Sequence, residues 1–248
     1  MEKVIIYGAT SAIAVEYAKL TLGSDHRLFL VGRDQSRVDA VVKDLSVRYD
    51  LKDGQLLSSV VDFQDNEALQ KSFSLAVDEL GGATKVLVAH GSLPVQEELE
   101  LSIKQVEYHN QVNFLSVVAL CEVAGKYFSG GSSNQISVIS SVAGDRGRKS
   151  NYFYGSSKGA LSLYLQGLRN RLESEGVSVL TVKPGFVDTP MTVSIEKGLL
   201  WAKPDQIAQG IFRAEQKGKE VVYLPFFWWG IMLVIKLIPE TVFKKMSI

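Results

Sequence analysis

Residues 4–20 read VIIYGATSAIAVEYAKL, and they pass from an apolar strand through a turn of small residues into a helix that ends at Gly23. Small residues in such a turn let the backbone approach a bound group, and the helix N-terminus offers free N–H groups and a favourable dipole. This order therefore predicts a phosphate-binding turn with contacts from Gly8, Thr10, Ser11 and Ile13. Plain packing of the helix on the strand is the alternative.

Apolar runs of strand length alternate with segments of helical spacing along the rest of the chain. This alternation predicts an α/β protein with a doubly wound parallel sheet, and the length suits a single domain over residues 1–248. The later strands are predicted at 28–31, 58–63, 85–91, 136–139, 177–182 and 221–224. The later helices are predicted at 35–49, 68–80, within 99–127, at 154–172 and from Pro204.

The composition argues against several classes of function. Lysine and arginine together number 27, as do aspartate and glutamate, so a formal net charge of zero gives a nucleic-acid partner little support. The one cysteine, Cys121, lies in an apolar helical stretch, which predicts a buried thiol and a reducing, cytoplasmic compartment. His26, His90 and His109 lack the spacing of metal ligands. No apolar leader precedes the first strand, so we expect no signal peptide.

The ends of three predicted strands indicate how a dinucleotide would bind. An NAD site usually has an acid at the end of the second strand, but Val31 stands there and Arg33 follows. Arg33 is therefore predicted to bind the 2′-phosphate of NADPH, with a solvated loop arginine as the alternative. Asp62 is predicted to accept from the adenine amino group, or else to be a surface turn residue. Gly91 would let the backbone pass close to the cofactor, with His90 packed against it.

Residues 140–158, SSVAGDRGRKSNYFYGSSK, join the end of a buried strand to the start of a helix. Tyr154 and Lys158 are four residues apart and share one helix face, so the cation is predicted to lower the Tyr154 pKa from about 10. Such a phenol exchanges a proton with an alcohol or ketone oxygen, which Ser141 would also bind. An ordinary surface pair is the alternative. Asn113 is polar in an apolar helical run and is expected to face a specific partner.

Two segments near the C-terminus are predicted to shape a ligand site. Residues 183–190, KPGFVDTP, follow the sixth strand as a rigid loop, where ligands of open α/β sheets bind. The stretch 190–203 mixes apolar and charged residues, which predicts a mobile lid over a substrate.

Residues 225–248 form an apolar tail after the last predicted strand. A transmembrane helix needs about 20 apolar residues, and this run is too short and is broken by two prolines and a glycine. One interpretation is a helix that closes the substrate pocket or packs on a second subunit. The other, which we favour, is a peripheral anchor on the inner face of the membrane. The residues that favour it are typical of a headgroup boundary: Trp228, Trp229, Lys236, Lys244 and Lys245.

Over almost its whole length the sequence resembles the short-chain dehydrogenase/reductase family. Residues 8–14 are similar to the family's TGxxxGxG turn, from which Tyr7, Ala12 and Ala14 depart. Residues 88–91 lie where the family has Asn-Asn-Ala-Gly, and only the last glycine matches. The catalytic tetrad of the family is matched in order and spacing by Asn113, Ser141, Tyr154 and Lys158. The loop that grips the nicotinamide amide is matched by Pro184, Gly185 and Thr189.

This resemblance implies an NADP(H)-dependent enzyme that transfers hydride to a ketone. It implies that Tyr154 donates the proton, that Lys158 lowers the tyrosine pKa and holds the nicotinamide ribose, and that Ser141 fixes the carbonyl oxygen. Asn113 would position a water that relays protons to Lys158. A homodimer or homotetramer is expected. The implied cofactor contacts are Gly8, Thr10, Ser11, Ile13, Arg33, Asp62, Ala89, Gly91, Tyr154, Lys158, Pro184, Val187 and Thr189.

A narrower resemblance is to bacterial reductases of polyprenyl-phosphate-linked 2-keto-pentoses. It is carried by residues 8–14, 89–91, 140–148 and 183–191, and it implies a lipid-linked keto-sugar substrate. Two other classes remain as alternatives: a soluble reductase of a small ketone or acyl-thioester, and a non-catalytic dinucleotide sensor. The altered glycine turn is the one feature that favours the sensor.

Overall fold

The computed structural model describes residues 2–23, 26–131, 134–193 and 195–246, and within them seven strands form one sheet. All neighbouring strands are parallel, in the order β3-β2-β1-β4-β5-β6-β7. The predicted doubly wound α/β class is confirmed, and the reversal of strand order beside β1 creates the crevice in which such sheets bind ligands. The strands are β1 Lys3–Tyr7, β2 Arg27–Gly32, β3 Leu56–Val60, β4 Lys85–Val88, β5 Asn134–Ile139, β6 Val177–Pro184 and β7 Val221–Leu224.

Helices connect the strands and cover both faces of the sheet. They are α1 Ala12–Leu22, α2 Gln35–Arg48, α3 Asn66–Leu80, α4 Gln96–Glu100, α5 Ile103–Asn110, α6 Ser116–Phe128, α7 Tyr152–Leu172, α8 Pro204–Gln216, α9 Phe227–Leu237 and α10 Glu240–Phe243. A π-helical turn, Gln111–Leu115, joins α5 to α6. Short 3₁₀ turns cover Val142–Asp145, Glu173–Glu175 and Pro190–Thr192.

Aspartate side chains cap the start of two of these helices. Asp34 and Asp65 accept the backbone N–H groups of the third residues of α2 and α3, and such a cap contributes about 1 kcal/mol. The helix α3 ends at Gly81, whose φ of 65° is left-handed and suits glycine.

The core has one layer on each face of the sheet, because successive strand residues point to opposite faces. On β1, Val4 and Ile6 are buried with α1 and α8, whereas Ile5 and Tyr7 are buried with α3, α6 and α7. Tyr7 departs from the threonine expected of the family turn, and its hydroxyl meets Ser72 Oγ at 3.0 Å inside this layer. Burial of each aliphatic side chain contributes about 1.5–3 kcal/mol, which makes the sheet a rigid support for the loops at its edge.

The third strand differs from the prediction of 58–63. It pairs with β2 from Leu56 to Val60, which ends beside Gly32. Asp62 therefore lies past the strand in an exposed turn, where its carboxylate accepts the backbone N–H of Gln64 at 2.9 Å. Pairing with β2 determines where the third strand begins and ends, and the apolar pattern of the segment alone does not show these ends.

The C-terminal tail folds back onto the domain. Trp228 and Met232 of α9 are buried against Val142. Arg146 donates to the carbonyls of Ile235 at 2.8 Å and Ile238 at 2.6 Å, just where α9 ends and its carbonyls lack helical partners. The inner face of α9 therefore packs on the protein, as in the interpretation of the tail as a packed helix. Its outer face leaves apolar side chains exposed: Phe226, Phe227, Trp229, Val234 and Leu237.

Among the described residues, no helix combines the length and the apolar character that a membrane span requires.

Candidate active site

A cavity of about 500 Å³ opens at the carboxyl ends of β1, β4, β5 and β6. Its size falls within the range of small-molecule sites, about 300–1,000 Å³. Of the predicted site residues, those that line it are Gly8, Thr10, Ser11, Ile13, Arg33, Ala89, Gly91, Ser141, Tyr154, Lys158, Pro184, Val187 and Thr189. Asn113 and Asp62 do not line it. Asp62 accepts the backbone N–H of Gln64 in its own turn, and its contact with adenine stays a prediction.

Three of the four predicted catalytic side chains lie on one wall of the cavity. Ser141 follows the end of β5, and its Oγ accepts the backbone N–H of Ala143 at 3.1 Å. Tyr154 and Lys158 lie one turn apart on α7, with Lys158 Nζ 5.9 Å from the centre of the Tyr154 ring. The Ser141 hydroxyl lies close enough to the Tyr154 phenol to act on its pKa, which it lowers. The wall therefore presents a hydroxyl pair beside a cation.

The protonation of Tyr154 differs from the prediction. Burial against the cavity wall raises the Tyr154 pKa to about 12, and the Ser141 hydroxyl only partly opposes this effect. The expectation that Lys158 lowers the tyrosine pKa is therefore wrong for the protein alone, because loss of hydration outweighs a cation that lies beside the ring. The phenol holds its proton at neutral pH, as a proton donor must.

Lys158 is a buried cation with few partners. It is only 3% exposed, and its Nζ donates to the carbonyl of Ile139 at 3.2 Å. Burial lowers the Lys158 pKa from 10.5 to about 8, so the ammonium releases its proton far more readily than a surface lysine does. A lysine that titrates this close to neutral pH can both hold a ligand and exchange a proton.

Asn113 lies just behind the cavity, in the π-helical turn. The backbone N–H of Ser116 bonds to the carbonyl of Gln111, five residues back, which marks the π-type turn often found at functional sites. The Asn113 side chain is fully buried and binds the backbone of Ser92 twice, accepting its N–H at 2.8 Å and donating to its carbonyl at 2.9 Å. The expected specific partner is therefore the backbone after Gly91. The proposed water relay from Asn113 to Lys158 stays a prediction.

Gly91 lies between these groups. A Cβ at this position would stand 3.0 Å from Asn113 Oδ1 and 3.5 Å from Lys158 Nζ. Glycine therefore lets the strand end pass close to both polar groups, and the predicted close approach to a cofactor stays a prediction.

The first turn has the geometry of a phosphate cradle. Gly8 has a φ of 78°, and a Cβ there would lie 2.5 Å from the backbone nitrogen of His90, so only glycine fits. Ser11 caps α1 without a side-chain hydrogen bond, and the following Ala12 and Ile13 line the cavity. The free N–H groups at the start of α1 therefore face the space where a phosphate would lie.

The described charged residues that line the cavity are all positive. The described residues that line the cavity include four cations and no carboxylate: Arg33, Arg37, Arg148 and Lys158. Arg37 and Arg148 were missed by the sequence analysis. Arg37 follows Arg33 by four residues, a helical spacing that could have drawn attention to it. A dinucleotide phosphate fits a lining of this sign and the turn at Gly8.

His90 is neutral and held in place. Its ring stacks on Phe63 with centres 4.3 Å apart, and Nε2 lies 2.8 Å from Ser116 Oγ. Burial is the main cause that lowers the His90 pKa to about 3, so the ring carries no charge at neutral pH. Packing rather than catalysis is thus its role in the protein alone, and contact with a cofactor stays a prediction.

The loop after β6 and the tail form the remaining wall. Val187 bridges to Ala202, which ties the two ends of the predicted lid 190–203 together. Ser194, within that segment, lies outside the described residues, and the mobility of the segment stays a prediction. The Trp228 indole covers Gly185 so closely that a Cβ there would lie 1.9 Å from its Nε1. The predicted position of Trp228 at a membrane headgroup boundary is therefore wrong, because its side chain is 3% exposed and is buried in this wall.

The strand order, the turn at Gly8 and the Ser141–Tyr154–Lys158 wall define a dinucleotide-dependent oxidoreductase of the Rossmann type. The chain belongs to the short-chain dehydrogenase family, whose sequence model matches residues 2–199. It is therefore an NAD(P)-dependent oxidoreductase.

Relatives and solved structures agree with this family. An uncharacterized oxidoreductase of Mycobacterium tuberculosis is 32% identical over 177 residues, which cover 68% of each chain. One from Streptomyces coelicolor is 26% identical over 245 residues, 98% of this chain and 95% of the relative. In fold, the chain is similar to a short chain dehydrogenase from Burkholderia cenocepacia solved in complex with NADP. That structure has a TM-score of 0.82 and 15% identity, with coverage of 98% of this chain and 96% of that chain.

An actinorhodin polyketide ketoreductase solved with NADPH has a TM-score of 0.77 and 17% identity, with coverage of 90% of this chain and 95% of that chain. At these identities the two solved structures show the shared fold.

Proposed function

We propose that the protein reduces a ketone to a secondary alcohol with NADPH as the hydride donor. The observation that carries the proposal is the wall on which Ser141, Tyr154 and Lys158 meet, with the phenol in its protonated form. A carbonyl oxygen placed between the two hydroxyl groups would accept hydrogen bonds from both. Such donors stabilise the negative charge that the oxygen gains in the transition state.

Each side chain of this wall has a separate part in the proposed reaction. The nicotinamide, when bound, supplies the hydride. Tyr154 donates its phenolic proton to the substrate oxygen, and Ser141 holds that oxygen in line with the phenol. Lys158, with its pKa of about 8, stabilises the phenolate that remains and can pass a proton back to it. Asn113 acts as a positioning residue through its two bonds to Ser92.

NADPH rather than NADH is the proposed cofactor. Arg33 and Arg37 line the cavity next to the end of β2, where a ribose 2′-phosphate would lie, and no carboxylate lines the described cavity. An arginine binds a phosphate through charge-assisted and often bidentate hydrogen bonds. The structures of the NADP-bound dehydrogenase and the NADPH-bound ketoreductase, which share the fold, support the same choice.

A lipid-linked keto-sugar and a peripheral site on the inner face of the membrane belong to the same proposal. Trp229 is half exposed on the outer face of α9, and Phe226 stacks on it with ring centres 6.1 Å apart. The nearby cations Lys244 and Lys245 are exposed and would meet anionic lipid. This support concerns the location of a substrate and not its identity. A small soluble ketone remains the second candidate.

The formation of a homodimer or homotetramer also stays a prediction. Leu163 of α7 is 69% exposed and Leu115 is 46% exposed, and exposed apolar side chains of this kind favour burial by a second copy.

The decisive experiment compares NADPH oxidation by wild type, Tyr154→Phe and Tyr152→Phe with a panel of ketones. We expect Tyr154→Phe to lose turnover by at least about a hundredfold, because it lacks the general acid, while it still binds NADPH. Tyr152 is the matched control, since its exposed hydroxyl bonds Glu100 at 3.1 Å and does not line the cavity. Near-wild-type turnover by Tyr154→Phe would refute the proposed acid. NADPH binding without oxidation by any ketone would favour a sensor.

A further inference from the structure

Unpartnered polar atoms are concentrated in the cavity. In the described part of the chain, five buried side-chain polar atoms have no hydrogen-bond partner, and four of them belong to residues that line it. These four are His90 Nδ1, Arg148 Nε, Asn151 Oδ1 and Trp228 Nε1. An unpaired buried polar atom costs about 1–3 kcal/mol, so a group of them in one cavity indicates a ligand that supplies the missing partners.

Three of the four atoms belong to residues that are not among the predicted cofactor contacts. Arg148 and Asn151 belong to the loop that joins Ser141 to Tyr154, and the N–H of Asn151 donates to the Arg148 carbonyl at 3.1 Å. Trp228 covers Gly185 on the tail side of the same cavity. These three residues therefore flank the proposed reacting wall.

Arg148 is unusual among the arginines of this region. Arg146, two residues earlier, donates to three backbone carbonyls and to Glu240. Among the described residues, none pairs a carboxylate with Arg148, and burial alone lowers the pKa of its guanidinium. An arginine side chain keeps its charge in proteins, so this one is a cation held in a partly dry site without a counter-charge.

The donor pattern defines the chemistry of the missing group. Arg148 Nε and Trp228 Nε1 each offer one N–H, and Asn151 Oδ1 accepts. Two donors, one of them part of a guanidinium cation, match an oxyanion, and the acceptor matches a hydroxyl group next to it.

We propose that Arg148, Asn151 and Trp228 form a substrate subsite for a phosphate or carboxylate group that lies beside a hydroxyl. The inference rests on the proposed function, because it assigns the substrate that the reacting wall would meet. Buried Val142 and half-buried Phe186 also line the cavity. An apolar lining strengthens the attraction between the guanidinium and an anion. The subsite selects anionic ketones over neutral ones.

The test measures binding by calorimetry on protein saturated with NADP⁺, so that the phosphate sites of the cofactor are blocked. Two anionic probes, xylulose 5-phosphate and geranyl phosphate, are compared with the neutral xylulose and geraniol. The first phosphate stands for a free sugar phosphate and the second for a lipid headgroup. The variants are Arg148→Gln, Arg148→Lys and Trp228→Phe. The control is Lys149→Gln, an exposed neighbouring cation that does not line the cavity.

We expect at least one phosphate to bind more tightly than its neutral counterpart. The phosphate that binds more tightly shows whether the natural ligand is a free sugar phosphate or a lipid headgroup. Arg148→Gln should weaken that binding about ten- to a hundredfold, the usual effect of losing a hydrogen bond to a charged group. Arg148→Lys, which keeps the charge without the Nε donor, should lose less. Trp228→Phe should lose a few-fold, and Lys149→Gln should match wild type. Lys is the more conservative change if Gln does not fold.

Equal affinity for phosphate and neutral probes, or an Arg148→Gln variant that binds the phosphate as wild type does, would overturn the subsite. A protein that binds the phosphate through Arg148 but oxidises no NADPH with any ketone would keep the subsite and refute the proposed function. A protein that reduces neutral ketones but does not bind the phosphates would keep the proposed function and refute the subsite.

Discussion

Replacing Lys158 by methionine should stabilise the folded protein at neutral pH while it removes activity. The ammonium is 3% exposed, and in the described structure its Nζ donates to one backbone carbonyl, that of Ile139, at 3.2 Å. Burial lowers the Lys158 pKa from 10.5 to about 8. The folded state therefore holds this proton less tightly than the unfolded chain does, and the charged lysine costs stability.

The size of the effect follows from the two pKa values. The gap between 10.5 and about 8 corresponds to about 3 kcal/mol. Methionine has a similar length and no charge, but it leaves the Ile139 carbonyl without this donor, which costs about 1 kcal/mol. We therefore expect Lys158→Met to raise the free energy of unfolding by about 2 kcal/mol at pH 7.

The sign of the pH dependence is also fixed. Because the unfolded chain binds more protons between pH 8 and 10.5, wild-type stability gains from this group as pH rises through that window. The advantage of Lys158→Met is therefore complete below pH 8, shrinks across the window and is absent above it.

Urea unfolding of wild type and variant at pH 7 and pH 10.5 measures this difference. Lys149→Met, at an exposed position, is the control and should match wild type at both values. A Lys158→Met protein that is less stable than wild type at pH 7, or equally more stable at both pH values, would refute the reasoning.

Three further predictions concern the cofactor, the tail and its outer face. Arg33→Ala should weaken NADPH binding about ten- to a hundredfold and leave NADH binding nearly unchanged, as read from the two dissociation constants; an unchanged preference would contradict the 2′-phosphate assignment. Arg146→Ala should lower the free energy of unfolding by about 2–4 kcal/mol and expose the tail to proteolysis, because the end of α9 loses its donor. Arg171→Ala, which removes an exposed pair with Glu122, should cost less than about 1 kcal/mol. Trp229→Glu should reduce flotation with anionic liposomes, whereas Val47→Glu, at a more exposed apolar site on α2, should not; wild type that does not float would remove the membrane proposal.

The sheet was predictable because its signals are local. Each strand is an apolar run, the longer helices have apolar spacing, and two of them begin at the caps Asp34 and Asp65. Register was less accessible. The run 58–63 is apolar enough to be a strand, but pairing with β2 selected Leu56–Val60 and left Asp62 exposed. A contact between two strands decided that boundary, and one segment alone does not contain it.

The reacting wall was predictable because family spacing placed Ser141, Tyr154 and Lys158 together. The raised pKa of the Tyr154 phenol was not predictable from the sequence. The four-residue spacing places a cation near the phenol, but it does not show how much hydration the phenol loses on burial. Arg148 and Trp228 were missed for a related reason. They are far apart in sequence and reach one cavity only because α9 folds back over Gly185.

Buried lysines outside the cavity have carboxylate partners, whereas the buried lysine in the cavity has none among the described residues. Away from the site, the buried Lys85 meets Glu215 and Glu2 at 3.0 Å, and Lys183 pairs with Asp145 at 2.5 Å. At the site, Lys158 is buried with no carboxylate among its described partners. Since the whole chain is neutral, this imbalance is local to the cavity. An anion that binds there supplies the missing counter-charge and stabilises the folded state in proportion to its affinity. The positive, incompletely paired lining is therefore destabilising by itself and is the same feature that would make the site bind a dinucleotide and an anionic substrate.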